Sequence, residues 1–184
     1  MSKGSIIALV VAVLAAVMLF GGYNSLVSSN ENINGKWSQV DNQLQRRSDL
    51  IPNLVSTTQG MAKQEKEVFQ AVDDARTKLA GAQGVNAKAE ANGELSNALG
   101  HLLMIAENYP TIKSDASFRQ LADELAGTEN RIAVARRDYN SAVQEYNTQI
   151  KSLPKSLYAG IFGFSAREYF KADEKAQEVP QVKF

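Results

Sequence analysis

The chain opens with an unbroken apolar run and continues with long amphipathic repeats. No charged or strongly polar residue interrupts positions 6–20. With Ser5 and the shoulder 21–23 the run is about 19 residues long, or roughly 28 Å as a helix, which is enough to cross the hydrocarbon core of a bilayer. The pattern predicts a transmembrane anchor over residues 1–22.

A cleaved secretory signal peptide is the alternative for this run. Leu19 and Phe20 stand where a cleavage site needs small residues, so we favour the uncleaved anchor. Lys3 flanks the N-terminal side, whereas residues 23–35 carry only Glu31 as a charged residue. The positive-inside rule then favours a cytoplasmic N-terminus and a helical region on the periplasmic or extracytoplasmic side.

Apolar residues recur at steps of three and four after position 23, the pattern of helices that pack on helices. One phase runs from Leu26 through Leu79, and a polar, small-residue stretch at 81–86 interrupts it. A segment over 87–109 follows and is stopped by Pro110. Its predicted inward residues are Leu95, Leu99, Leu102, Leu103 and Ala106.

The segment 115–152 has the clearest repeat, and Ser114 or Asp115 supplies its N-cap. Apolar residues spaced by seven indicate a long bundle helix. They are Phe118, Leu125, Ile132, Tyr139, Tyr146 and Leu153. Trp37, on the first stripe, is predicted to be a core residue together with the two tyrosines.

Pro52 lies inside the first phase and decides the topology. If Ser48 or Asp49 caps a new helix, Pro52 falls in its first turn, where proline is tolerated. If the helix instead continues through a kink, residues 23–80 form a rod of roughly 87 Å, far longer than its partners. We predict a break near residues 47–52.

The predicted fold is therefore all-α: an N-terminal transmembrane helix, an antiparallel up-and-down four-helix bundle over residues 23–153, and an aromatic hook with an extended tail over 154–184. An even number of helices returns the chain to the membrane. The hook would then land near the bilayer surface. Because it is short and carries few basic residues, we favour packing on the bundle end or on a neighbouring copy over contact with lipid. Its candidate contact residues are Leu157, Ile161, Phe162, Phe164, Tyr169 and Phe170.

Composition excludes several kinds of function. Twenty basic and twenty acidic residues cancel without a concentrated basic face, which argues against nucleic-acid binding. The absence of cysteine excludes disulfides and thiolate chemistry, and the single histidine, His101, excludes a histidine-rich metal site. We predict no catalytic residue, metal or cofactor.

Several strings of this chain resemble the LemA family. The most specific is Arg-Arg-Ser-Asp-Leu-Ile-Pro-Asn-Leu-Val at 46–55, and further matches lie at 107–110, 128–132, 135–140, 160–164 and 169–170. The resemblance covers nearly the whole chain. It implies a bacterial protein of the cytoplasmic (inner) membrane with one transmembrane helix, an antiparallel bundle and no enzymatic activity. Some relatives are lipoproteins, others belong to organelles of magnetic bacteria, and members are linked to a membrane metalloprotease.

A cluster of arginines with carboxylate and amide partners is the candidate polar site. Arginine forks pair with carboxylates and can either fix helix register or bind an anion or a partner. We favour a structural layer, with Glu129 as a buried member, over a partner site. The residues are Arg46, Arg47, Asp49, Asn53, Glu129, Arg136, Asp138 and Asn140.

Small residues spaced by four in the anchor form a face suited to helix association: Ala8, Ala12 and Ala16. Together with the heptad stripe and the hook, this face predicts a non-enzymatic, membrane-anchored homo-oligomer that acts as a scaffold at the bacterial envelope. The alternative is an adaptor or regulatory subunit of a membrane protease or an envelope-stress system.

Overall fold

A computed structural model describes residues 3–60, 62 and 64–171, and all regular elements in that part of the chain are helices. The predicted all-α class is confirmed. The elements are α1 (Lys3–Gln59), α2 (Lys66–Gly81), α3 (Val85–Asn108), α4 (Pro110–Ser114), α5 (Ala116–Lys151) and a 3₁₀ turn (Lys155–Leu157). The extended tail predicted from Val179 lies outside the described residues.

The chain divides into two compact units. Unit 1 consists of Met1–Trp37 and Asp138–Glu168, and unit 2 of Ser38–Arg137 and Tyr169–Phe184. Helices α1 and α5 each contribute residues to both units, so the chain passes from unit 1 to unit 2 within α1 and back to unit 1 within α5.

The break predicted near residues 47–52 is wrong, because α1 continues through Pro52 to Gln59. Pro52 removes one helical hydrogen bond, but its ring is exposed, while Ile51 and Leu54 beside it are almost fully buried. Burial of these side chains stabilises the helix against the lost bond. The helix stops instead around Gly60, so it does not extend to residue 80 either.

Unit 2 has an aliphatic core. Helices α2 and α3 pack together across a short connection in which Gly84 adopts a φ of 83°, a conformation that favours glycine. The buried residues on these helices include Phe69, Val72, Leu79, Leu95, Leu99, Leu102 and Ala106. Leu103 was expected inward and is 38% exposed, since it lies one residue, or about 100° of helix rotation, past Leu102.

The heptad stripe of α5 is buried from Phe118 through Tyr146, as predicted. Asp115 caps the helix, because its Oδ1 accepts a hydrogen bond of 2.9 Å from the Phe118 amide. Leu153 departs from the prediction and is 75% exposed, because α5 ends at Lys151. The stop at Pro110 is confirmed: α3 ends at Asn108 and Pro110 begins α4.

Unit 1 combines a helix pair with an uncovered apolar segment. Leu26 and Ile33 of α1 and Tyr139, Val143 and Tyr146 of α5 are buried in it. Before this pair, the large apolar side chains of 6–20 are 43–73% exposed. In the described part of the chain, α1 alone is long and apolar enough to cross a membrane.

Candidate functional site

Arg47 is the buried charge of unit 2. Its side chain on α1 is almost inaccessible, and Nη1 donates to Asn92 Oδ1 at 2.9 Å and to Ser96 Oγ at 3.0 Å, both on α3. The same nitrogen lies 2.7 Å from Glu129 Oε2 on α5. Burial lowers the pKa of Arg47 and the carboxylate of Glu129 opposes that shift. One guanidinium thus ties together three helices.

The remaining residues of the predicted polar layer do not all gather around Arg47. Arg46, Asp49 and Asn53 are exposed, and Asp49 Oδ1 accepts a hydrogen bond of 2.8 Å from its neighbour Gln45. Arg136 is half-buried in unit 2. Asp138 and Asn140 belong to unit 1.

Glu129 is about half exposed, so its predicted burial is wrong. The fully buried residue is the adjacent Thr128, whose hydroxyl donates to the Leu125 carbonyl. Asn92 and Ser96 were not predicted as partners. Their signal was available, since polar residues four apart interrupt the leucine stripe of α3.

The structure brings no catalytic or metal-binding set together among its described residues. No group of three or more His, Cys, Asp or Glu side chains there could hold a metal ion. His101 is exposed on α3.

A second cluster lies in unit 1, where the chain after α5 folds back on α1. From here on, the word hook denotes residues 153–164 only. Tyr158 is buried, and its hydroxyl occupies the position that a Cβ atom on residue 22 would take, so Gly22 permits this contact. The ring of Tyr23 meets Phe162 and Phe164 edge-on, at centroid distances of 5.3 and 5.6 Å.

Polar side chains fix the hook beside these aromatic contacts. Lys155 Nζ donates to Ser25 Oγ at 2.8 Å and to Gln149 Oε1 at 2.6 Å. Gln149 Nε2 in turn donates to Ser29 Oγ at 3.1 Å. One lysine therefore connects α1, α5 and the hook.

The segment after the hook is held by Asn147 and Arg167. Asn147 Nδ2 donates to the Arg167 carbonyl at 2.9 Å, and its Oδ1 accepts from the Arg167 amide at 2.8 Å. The guanidinium donates to Asn30 Oδ1 at 3.2 Å and to Asn34 Oδ1 at 2.9 Å. The contacts of Arg167 with Asn147, Asn30 and Asn34 were not predicted. Their only local signal in the sequence is the spacing of four between Asn30 and Asn34 on α1.

Tyr139 completes this polar region. Its hydroxyl donates to the Glu168 carbonyl at 2.8 Å, and its ring packs on Trp37 at 5.3 Å. Burial raises the pKa of Tyr139, and the charge of Arg167 opposes the shift. Tyr139 and Tyr146 are core residues as predicted, whereas Trp37 is only half-buried.

The predicted contact residues of the hook and the following segment differ in how far they are exposed. Leu157, Ile161 and Phe162 are 70%, 82% and 52% exposed. Phe164 is half-buried, and of the two aromatic residues assigned to unit 2, Phe170 is buried and Tyr169 is exposed.

An apolar groove of about 490 Å³ connects the hook with the end of the apolar run. Its lining residues are Ala16, Leu19, Phe20, Tyr23, Asn24 and Phe162. On the association face, Ala8 and Ala12 are exposed and Ala16 is half-buried.

Comparison with known proteins agrees with the resemblance seen in the sequence. The LemA family model matches residues 36–184. Magnetosome proteins MamQ 1 and MamQ 2 of Paramagnetospirillum magneticum are each 32% identical over 199 residues, covering 94% of this chain and 72% of theirs. Magnetosome protein MamQ of Magnetospirillum gryphiswaldense is 31% identical over 186 residues, covering 87% and 68%. This membrane-associated helical chain belongs to the LemA family.

Proposed function

We propose that this chain is a non-enzymatic structural protein that spans the bacterial inner membrane once, self-associates in the membrane plane and acts there as a scaffold. The observation that carries the proposal is the uncovered apolar surface of α1 over residues 6–20. A water-soluble protein rarely exposes a contiguous apolar patch of more than a few hundred Å². A bilayer covers such a surface around a helix of this length.

Contacts in unit 1 favour an anchor that is retained. Cleavage at the end of the apolar run would remove or expose the residues on which the hook packs, Gly22 and Tyr23. It would also create a new terminus beside Ser25, which accepts the hydrogen bond from Lys155. These contacts support a single folded unit that includes the anchor.

The scaffold role is supported by the kind of polar contact that the chain makes. Within the described residues, buried polar groups join helices to one another, and no group of three or more His, Cys, Asp or Glu side chains could hold a metal ion. The similarity to magnetosome proteins favours a role in organising a bacterial membrane. Lys3 before the span favours a periplasmic location for the helical region.

Self-association would use the small-residue face of the span. Ala8, Ala12 and Ala16 lie four apart and therefore share one side of α1. Small side chains let two helix backbones approach closely, which favours association inside lipid. Val10 lies about 200° around the helix from Ala12 and supplies a matched position on the opposite side.

Disulfide crosslinking in membranes tests this arrangement, because the natural chain contains no cysteine. With mild oxidation, Ala12→Cys should form a dimer of the full-length protein and Val10→Cys should not. Equal yields from both would contradict a specific face. No dimer from either, together with recovery of a different protein in stoichiometric amount, would favour an adaptor for a membrane protease or another envelope protein.

A further inference from the structure

We propose that the hook is a second membrane contact of this chain, in which Leu153, Leu157, Ile161 and Phe162 enter the interfacial layer of the leaflet where α1 leaves the bilayer. The inference rests on the proposed function, because it takes α1 as the membrane span. It assigns the exposed apolar residues of the hook to lipid.

The position of the hook along α1 is the first argument. Tyr158 packs on Gly22 and Phe162 on Tyr23, immediately after the apolar run ends at Phe20. All of these residues belong to unit 1, so their relative placement is defined within one compact body. A helix that spans the bilayer through residue 20 therefore holds the hook at the level of the boundary between lipid and water.

The second argument is the apolar surface that the hook presents. Leu153, Leu157 and Ile161 are 70–82% exposed although α1 and α5 offer a core nearby. The groove shared by Phe162, Tyr23 and residues of the span makes this surface continuous with the lipid-facing surface of α1. A water-soluble partner covering the hook would have to reach into the hydrocarbon region to cover the groove as well.

The backbone of the hook suits an interfacial location. Amide groups in lipid must be satisfied within the protein, since water is scarce there. Seven hook amides donate to carbonyls close in sequence, at 2.9–3.2 Å; they belong to Ser156, Leu157, Tyr158, Ala159, Phe162, Gly163 and Phe164. The charge of Lys155 is directed to Ser25 and Gln149. What the hook offers outward is therefore mainly aliphatic and aromatic, which matches the interface.

Site-specific fluorescence in the full-length protein tests the inference. Ile161→Cys carries an environment-sensitive label in nanodiscs of phosphatidylethanolamine and phosphatidylglycerol, with quenchers placed either on lipid acyl chains or in water as iodide. Val13→Cys is the matched position in the span, and Ser141→Cys the exposed position on α5 in the same unit. We expect lipid quenching at 161 to exceed that at 141 several-fold and iodide quenching to fall correspondingly.

The outcomes separate the two proposals. If the label at 161 is quenched like the label at 141 while the label at 13 is quenched by lipid, the inference is overturned and the proposed anchor is retained. Iodide access at both 13 and 161 would instead contradict the proposed anchor. Shielding of 161 from both quenchers would show that protein covers the hook, which also overturns the inference.

A substitution at Gly22 tests the cause of the placement. Gly22→Ala puts a methyl group where the Tyr158 hydroxyl lies, whereas Gly21→Ala meets nothing within 4 Å. In Gly22→Ala, iodide quenching of the label at 161 should rise and lipid quenching should fall. In Gly21→Ala, both should stay as in the protein with the natural glycines. Adding Tyr158→Phe to Gly22→Ala should restore part of the lipid quenching, because it removes the overlapping oxygen. Unchanged quenching in Gly22→Ala would overturn docking on α1 as the origin of the contact.

Discussion

Unit 2 and unit 1 are held together by different kinds of contact. In unit 2, leucine, isoleucine, valine and phenylalanine side chains from all five helices are buried, and Arg47 makes the buried polar contacts that join three of them. In unit 1 the buried aliphatic residues are fewer, and asparagine, glutamine, lysine and arginine side chains join α1, α5 and the segment after the hook. The difference arises because unit 1 exposes much of its apolar surface, whereas unit 2 buries most of its own.

Directional bonds suit a region whose apolar residues also have a lipid environment open to them. The hydrophobic effect alone does not distinguish a hook packed on α1 from a hook inserted in lipid, because either arrangement removes the apolar side chains of the hook from water. Hydrogen bonds between named atoms, such as those of Asn147 and Lys155, specify one arrangement. In unit 2, burial from water favours the packed state, and the bonds of Arg47 add to it by joining α1, α3 and α5.

The largest effect is expected at Arg47. Arg47→Ala leaves the buried oxygen of Asn92 without its donor and empties the space of the side chain, which together should cost about 3 kcal/mol. For a chain of this size that lowers the melting temperature by roughly 6–12 °C, measured by circular dichroism in detergent. Arg46→Ala, its exposed neighbour, should change stability by less than about 0.5 kcal/mol. Equal effects would contradict the focal role of Arg47.

A somewhat smaller effect is expected at Asn147 in unit 1. Asn147→Leu removes both bonds to the Arg167 backbone, at a cost of about 2 kcal/mol. The loss should release the segment after the hook, so trypsin should cleave at Arg167 faster in the folded protein. Thr148→Ala, which removes only a bond to the Gln144 carbonyl within α5, should cleave at the natural rate. Similar cleavage rates at Arg167 in the natural protein, Asn147→Leu and Thr148→Ala would show that Asn147 does not hold the segment after the hook.

The smallest effect is a loss of stability at high pH. Burial raises the pKa of Tyr139 and Tyr146 in unit 1, whereas in unit 2 the hydrogen bond to Glu65 is the main cause of the raised pKa of Tyr109. A raised pKa stabilises the folded state fully below the ordinary value of 10.0, and the contribution is lost as pH rises through the folded pKa. Unfolding free energies should therefore fall above pH 10.0.

Matched variants separate these causes. Glu65→Gln should bring the titration of Tyr109 closer to its ordinary range, followed by phenolate absorbance, and leave the buried tyrosines unchanged. If Glu65→Gln had no effect on any tyrosine, the hydrogen bond would not be the cause of the shift.

The two units also differ in how far sequence predicts them. Stripes such as Leu95–Leu99–Leu102 follow from helix periodicity, which is local, and the structure confirms their burial. Periodicity does not state where a helix ends, so Leu153 was placed inside a stripe that had already stopped. At Pro52 the unbroken apolar phase was a better guide than the argument from helix length, because flanking buried residues stabilise a helix through an exposed proline.

The contacts of unit 1 lie beyond that kind of reasoning. The bonds between Asn147 and Arg167 join a helix side chain to irregular backbone twenty residues away, and no repeat marks such a pair. The need for glycine at position 22 depends on the placement of Tyr158, which only the folded chain defines. The role of Arg47 was anticipated as part of a layer, but which neighbours meet it depends on helix packing.

Whether the chain assembles with itself can be read from the mass of the full-length protein extracted gently into lipid nanodiscs from native membranes, with copurifying proteins identified. We predict a homogeneous particle whose protein mass is a multiple of the chain's own mass. A particle with a single copy, or with one copy and a stoichiometric second protein, would contradict the scaffold.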